Sequence, residues 1–220
     1  MRFGNRVEAG RLLAEKLIAY QNHPNALVLG LPRGGVPVGF EIASMLHFPL
    51  DVFLVRKLGV PGHEELAMGA IASHGEPIFQ SHIVQQLGLS LSAIEKVVST
   101  QKMELQRREL LFRAKRAPLN LRDKVVIVVD DGLATGSTML AALQAIKRHD
   151  PQRIIVAIPV ASEDALMLVS HLADELICLM TPDNFYSVGA WYENFEQTSD
   201  DEVIYLLAKA EKFLSSKVDG

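Results

Sequence analysis

The stretch VVIVVDDGLATGST, Val125 to Thr138, decides the fold. Five apolar β-branched residues, too short a run for a helix, read as a strand buried on both faces. Asp130 and Asp131 follow, side by side although their charges repel, and then come small and hydroxyl-bearing residues that open a helix from Ser137 onward. A strand that runs into a helix through such a turn is the unit of an open α/β sheet, where ligands bind beyond the carboxyl ends of the strands.

Outward from there the same alternation recurs. The runs ALVLGL (26–31), DVFLVRK (51–57), KVVIVVD (124–130), RIIVAIPV (153–160) and ELICLM (175–180) read as strands. Between or beside them, residues 6–20 (with Val7, Leu12 or Leu13, and Leu17 at helical spacing), 35–46, 137–149 and 162–172 read as helices. The expected class is α/β: a Rossmann-like, doubly wound, mainly parallel five-stranded sheet. Two regions break the pattern. Residues 58–80 hold too many Gly and Pro for a helix, and MGAIA with PIFQ has the makings of a hairpin under a mobile loop. Residues 90–116 read as one long helix with Ser90 or Ser92 as N-cap and Pro118 as stop, its basic end RRELLFRAKR a solvated face.

The bulk properties bound the function. The 220 residues, 49% of them hydrophobic, suit one domain with appendages, and a net charge of −4 gives no global attraction to nucleic acid or an anionic membrane. Cys178 is the sole cysteine and lies among apolar neighbours, which excludes an intrachain disulfide and fits an inert thiol in a reducing compartment. MRFGNRVEAGRLLAEKL lacks the apolar core of a secretory signal, and no apolar run approaches the roughly 18–20 residues of a membrane span. A cytoplasmic location is expected.

The chemistry of the opening stretch divides in two. Gly132, Ala134 and Gly136 let backbone amides approach a phosphate, and Thr135, Ser137 and Thr138 add donors. The two carboxylates would repel a phosphate; they suit hydroxyl donors or a hydrated cation. A phosphate beside a vicinal diol, a sugar phosphate, meets both demands. An ordinary turn with Asp and a Ser or Thr cap explains one Asp-Gly better than it explains two acids and a hydroxyl-glycine run. A phosphorelay receiver closes its first strand with such acids, not a mid-chain one, and no P-loop lysine is present.

The stretch resembles the PRPP-binding signature of the type I phosphoribosyltransferases. The resemblance implies that Asp130 and Asp131 contact the ribose hydroxyls and at most assist a metal indirectly, and that Ala134, Thr135, Gly136, Ser137 and Thr138 hold the 5′-phosphate. GLPRGGVPVG (30–39) is similar to the family's pyrophosphate loop at Arg33, Gly34 and Gly35. VRKLGVPGHEE (55–65) resembles the opening of the catalytic loop in adenine phosphoribosyltransferases, which makes Arg56 and Lys57 pyrophosphate ligands. The pattern is similar to uncharacterised phosphoribosyltransferases that carry ELAMGAIA (65–72) after the lid.

The implied organisation is a core over 1–182, including a flexible lid (57–80) and the long helix, with a small hood over 183–220. The implied reaction is Mg²⁺-dependent displacement of pyrophosphate from PRPP by a nitrogen base, purine-like, in a protein that belongs to nucleotide metabolism and forms a homodimer as family members do. Where hypoxanthine-type enzymes carry an acid, this chain has Ala134. Lys57, Glu64 and Glu65 on the lid are therefore the catalytic candidates. Phe185, in TPDNFYSVGAWYENF (181–195), matches the family's base-stacking aromatic; an equal alternative is that the rings of this segment only pack a C-terminal helix onto the core. His63, His74 and His82 fit no metal spacing. The alternatives for the whole chain are a PRPP- or nucleotide-binding regulator of the same fold without transferase activity, and a sugar-phosphate binding domain.

Overall fold

The computed structural model describes residues 2–73, 75–114 and 116–215, the side chains of Glu65 and Ser215 excepted. After α1 (Arg6–Lys16), strand β1 (Ala26–Gly30) leads into α2 (Gly35–Leu46) and β2 (Leu50–Val52). A second sheet follows, β3 (Val55–Val60), β4 (His63–Ala72) and β5 (Ile78–Phe79), and then α3 (Ser81–Gln86) and α4 (Leu91–Arg113). The chain returns to the main sheet through β6 (Val125–Val129), α5 (Ser137–Lys147), β7 (Arg153–Val160), α6 (Glu163–Ser170) and β8 (Glu175–Met180), and ends in α7 (Asp200–Ser215). The main sheet has the order β2-β1-β6-β7-β8, parallel throughout.

The apolar strands are covered on both faces because their residues alternate between two cores. Val125, Ile127 and Val129 of β6 pack with Leu13, Val36, Leu46 and Val203 from α1, α2 and α7. Val126 and Val128 pack with Met139, Leu143, Ala165 and Val169 from α5 and α6. Each such buried Val or Ile contributes about 1.5–3 kcal/mol. The chain changes faces between β1 and β6, whose loops therefore flank a crevice. On α1 the buried positions are Ala9, Gly10, Leu13 and Ala14, with Leu17 buried just beyond its end; Val7 is exposed.

Four sequence expectations need correction. The run 51–57 is not one strand: it leaves the parallel sheet after Val52 and re-forms as β3 in an antiparallel sheet after Phe53 and Leu54, both buried. Residues 58–80 are less a loop than a twisted sheet. MGAIA and PIF do pair (Gly69↔Phe79, Ala70↔Ile78), but β4 pairs chiefly with β3, and register shifts at Leu58, Gly59 and Val60 absorb the glycines. α3 was not anticipated; it is short and has no buried residue. The basic end of α4 is solvated only in part. The helix has Ser90 as N-cap but ends at Arg113, short of Pro118. Arg107 and Arg108 pair with Glu104 near solvent, whereas Arg113 is buried and forks onto Asp51 of β2 at 3.0 and 3.2 Å. Arg116 donates to the main-chain oxygens of Leu50 and Leu207, both at 2.9 Å. These ties clamp α4 to the edge of the main sheet and to α7.

Candidate active site

Two loops from neighbouring strands form the crevice. β1 and β6 are in register at Gly30↔Val129, and Leu31 N–H donates to the Val129 carbonyl at 2.9 Å, so the strands stay paired up to the loops. Beyond Leu31 the Pro32–Arg33 peptide is cis and α2 begins at Gly35. The β1 loop lies directly against the acid pair. A side-chain carbon on Gly34 would collide with the Asp131 carboxylate, and one on Gly35 would meet the Val129 carbonyl and lie 2.9 Å from the Asp130 α-carbon. Only glycine allows this approach.

The acids are held by different means. Asp130 Oδ1 accepts from the Asp131 amide at 2.9 Å. Asp131 Oδ2 accepts from Nε of Arg6 at 2.8 Å and pairs with Nη2 at 2.8 Å, and its main-chain oxygen accepts from the Tyr192 hydroxyl at 2.6 Å. Burial pushes the Asp130 carboxyl well above the ordinary carboxylate range, and the neighbouring Asp131 charge adds to the rise. Burial raises Asp131 as well, with the Arg6 guanidinium opposing it.

The loop that follows is open. Leu133 is fixed to β7 and α6, donating to Val160 O at 2.9 Å and accepting from Ser162 N at 3.0 Å, while Ser162 Oγ donates to Ala134 O at 2.8 Å. Ala134, Thr135 and Thr138 remain exposed. Gly136 takes φ 71° and, having no side chain, caps α5 with none of its own; Ser137 N donates to Thr135 Oγ1 at 3.4 Å, and the helix start carries the amides that favour an anion. Thr135 Oγ1 and Ser137 Oγ lie 3.2 Å apart beside them. Carboxylates able to accept from hydroxyls stand next to a helix start able to take an anion, an arrangement that can grip a polyol phosphate.

A cavity of about 880 Å³ continues the crevice between the second sheet and α4. Its lining includes Pro32, Arg56, Lys57, Glu64, Lys96 and Thr138, so the structure brings Lys57 and Glu64 to the start of α5. Arg56 Nε is aimed by Gln101 Oε1 at 2.9 Å, and Glu64 Oε1 accepts from Gly62 N at 3.3 Å. The Glu65 side chain lies outside the described residues, as does His74. Arg33 does not line the cavity; its Nη1 lies 3.7 Å from Asp200 at the start of α7. Phe185 is half-buried against a cluster of Phe3, Ala9, Val160 and Tyr192. The aromatic segment therefore packs on the N-terminal residues and α1, and not on α7 as one expectation had it; Tyr186 alone among its rings is largely exposed.

The matching family model is that of the phosphoribosyl transferase domain, over residues 4–194. The chain belongs to this family. It is 44% identical over 210 residues, 96% of its length, to a Mycobacterium tuberculosis protein named "Putative phosphoribosyl transferase", and spans about half (47%) of that relative's length. It is 27% identical over 148 residues to a uracil phosphoribosyltransferase of Metallosphaera sedula, covering 61% of this chain and 66% of that one. The crystal structure of the Thermus thermophilus protein TT1426 superposes with a TM-score of 0.85 at 39% identity, over 95% of this chain and 99% of that one.

Arg6 and Tyr192, which hold Asp131, were not among the residues expected from sequence. Each is far from the acid along the chain; Arg6 sits in a segment without a motif, and in 181–195 the sequence pointed to Phe185 alone. The Asp-Asp pair, the hydroxyl loop and the Arg-Gly-Gly loop were legible because each is a contiguous run.

Proposed function

We propose that the chain is a phosphoribosyltransferase that displaces pyrophosphate from PRPP with a nitrogen base. One observation carries this reading: the half-buried acid pair follows β6 directly before the start of α5 and against the Gly34-Gly35 loop of β1. That adjacency supports acceptors for a sugar's hydroxyls beside donors for its phosphate. In this reading Asp130 and Asp131 accept from the ribose hydroxyls. Residues 134–138 hold the 5′-phosphate on amides and hydroxyls. Arg56 and Lys57 receive the pyrophosphate with the main chain of Arg33, Gly34 and Gly35, the Arg33 guanidinium itself being directed toward Asp200.

Among the described residues no group of three or more His, Cys, Asp or Glu side chains gathers. The protein's own contribution to a cation is then the Asp130–Asp131 pair, which fits Mg²⁺, an ion that keeps its waters and takes one or two carboxylates plus substrate phosphates. When bound it supplies positive charge to the departing pyrophosphate.

The reaction breaks the bond between ribose C1 and a pyrophosphate oxygen and forms one from C1 to the acceptor nitrogen, which gives up its proton. Positive charge builds on the ribose ring, and the acid pair beneath it stabilises that charge. Arg56 and Lys57 neutralise the leaving group, and the second sheet excludes water as it closes over the cavity. Glu64 or Glu65 takes the acceptor's proton. Phe185 offers an aromatic face to a planar, purine-like base. A cytoplasmic site of action accords with the unpaired Cys178.

Calorimetry with PRPP and Mg²⁺, then a screen for pyrophosphate release over purines, pyrimidines and small amines, tests the proposal. Binding with release for one base names the acceptor. Binding with no release for any assigns the chain to regulation, and absence of PRPP binding rejects the reading.

A further inference from the structure

The first residue of α1 reaches the acid that the proposed function assigns to the ribose. Arg6 is only 12% exposed, and its donors are spoken for: Nε and Nη2 meet Asp131 Oδ2, and Nη1 donates to the Glu196 carbonyl at 2.7 Å. Its guanidinium carbon lies 3.9 Å over the Phe195 ring centroid. Phe195 in turn stacks on Tyr192 at 4.9 Å, and Tyr192 bonds the Asp131 main chain.

Both supports are themselves fixed. Phe3 N donates to Trp191 O at 2.9 Å, Glu193 N to Phe3 O at 2.8 Å and Asn194 N to Gly4 O at 3.0 Å, so the N-terminal segment is stitched to residues 191–194 like a short strand. Asn5 caps α1 by accepting from Glu8 N at 3.0 Å, which sets the direction in which Arg6 leaves the helix.

We propose that Arg6, braced by Phe195 and Glu196, is a positioning residue that aims the Asp131 carboxylate at the ribose and so ties sugar recognition to the C-terminal aromatic segment. This rests on the reading of Asp131 as a ribose ligand. Arg6 engages only Oδ2, so Oδ1 stays outside the ion pair and is available to a hydroxyl. A guanidinium held by a carboxylate, a carbonyl and a ring is not a loose cation waiting to be displaced by substrate; it is part of the wall. Lysine cannot replace it, since an ammonium cannot span Asp131 and Glu196 while lying flat on Phe195.

The test is calorimetry on the full chain with two probes in Mg²⁺ buffer, PRPP and inorganic pyrophosphate, for the wild type, Arg6→Met and Arg6→Lys. Loss of a supporting partner typically weakens a site about tenfold or more. We expect Arg6→Met to weaken PRPP by that amount and Arg6→Lys by somewhat less, with pyrophosphate affinity changed far less in both, because pyrophosphate has no hydroxyl for Asp131 to accept from and meets the acid pair only through Mg²⁺. In an Asp131→Asn background Arg6→Met should add little. Equal loss for both probes would mean a merely structural role; unchanged or tighter PRPP binding would mean no role or a blocking one. Either overturns the inference while leaving the function intact. If the wild type binds no PRPP, the function and the inference fall together. Should Arg6→Met not fold, Arg6→Lys alone reads the same PRPP-to-pyrophosphate ratio.

Discussion

The Asp131 carboxylate rests on the α-carbon of Gly34, with no room for a methyl group between them. The two proposed grips, one for the sugar and one for pyrophosphate, are therefore in van der Waals contact. Gly34→Ala must push the carboxylate aside. We expect a cost in stability of about 1–3 kcal/mol, as for other overpacked sites, and a loss of PRPP affinity of about tenfold or more. Thermal melts and calorimetry on the same preparation check both.

Asp131→Asn keeps the shape of the site and removes its charge. A charge-assisted hydrogen bond is worth about 1.5–3 kcal/mol, so PRPP binding should weaken by about one to two orders of magnitude while the fold persists. The Arg6 guanidinium, left with a neutral partner, costs some thermal stability. Unchanged PRPP affinity by calorimetry would remove Asp131 from the ribose site.

The raised Asp130 carboxyl makes stability depend on pH. Its folded-state pKa lies above the unfolded value of about 3.9, so the folded protein holds more protons than the unfolded chain between the two values. Stability then falls as pH rises through that window, and the penalty is complete above the folded value. Asp130→Asn should raise the melting temperature at pH 7 and lose that advantage near pH 4. A melting series in pH, wild type against variant, reads the crossing directly.

Asp51 and Arg113 tie the edge strand to the long helix away from the acid pair. Removing one partner of a buried pair typically costs about 3–5 kcal/mol, and here Asp51 would keep only Arg116, 3.6 Å away, which places the cost at the lower end. Arg113→Met should show a loss of that order in denaturant unfolding, with PRPP affinity of the folded fraction retained. Arg107→Met, by contrast, removes a solvent-exposed pair with Glu104 and should change stability by less than about 1 kcal/mol.

The core of the fold could be read from local pattern. The runs that became β6, β7 and β8 lie where their apolar residues indicate, and Ser90 caps α4 as its hydroxyl and position imply. The run 51–57 misled because Phe53 and Leu54 are as apolar as a strand interior; they are buried at a junction between two sheets, and composition does not distinguish the two. Arg113 misled for a similar reason. Seen in RRELLFRAKR it is one of five cations, and only the fold brings Asp51 to it. In the site, the contiguous loops were visible and their braces were not. Arg6 reaches Asp131 through the folding back of the N-terminal segment onto residues 191–194, a long-range pairing that leaves no periodic trace.

The register Gly30↔Val129 has an engineering consequence. The gap between the two loops is gauged by one inter-strand spacing, about 4.8 Å, and owes nothing to the length of polypeptide spooled out between them. The long excursion from β2 to β6 can therefore vary in its exposed turns without changing that gap, while its buried residues and the Arg113–Asp51 tie keep it seated on the sheet.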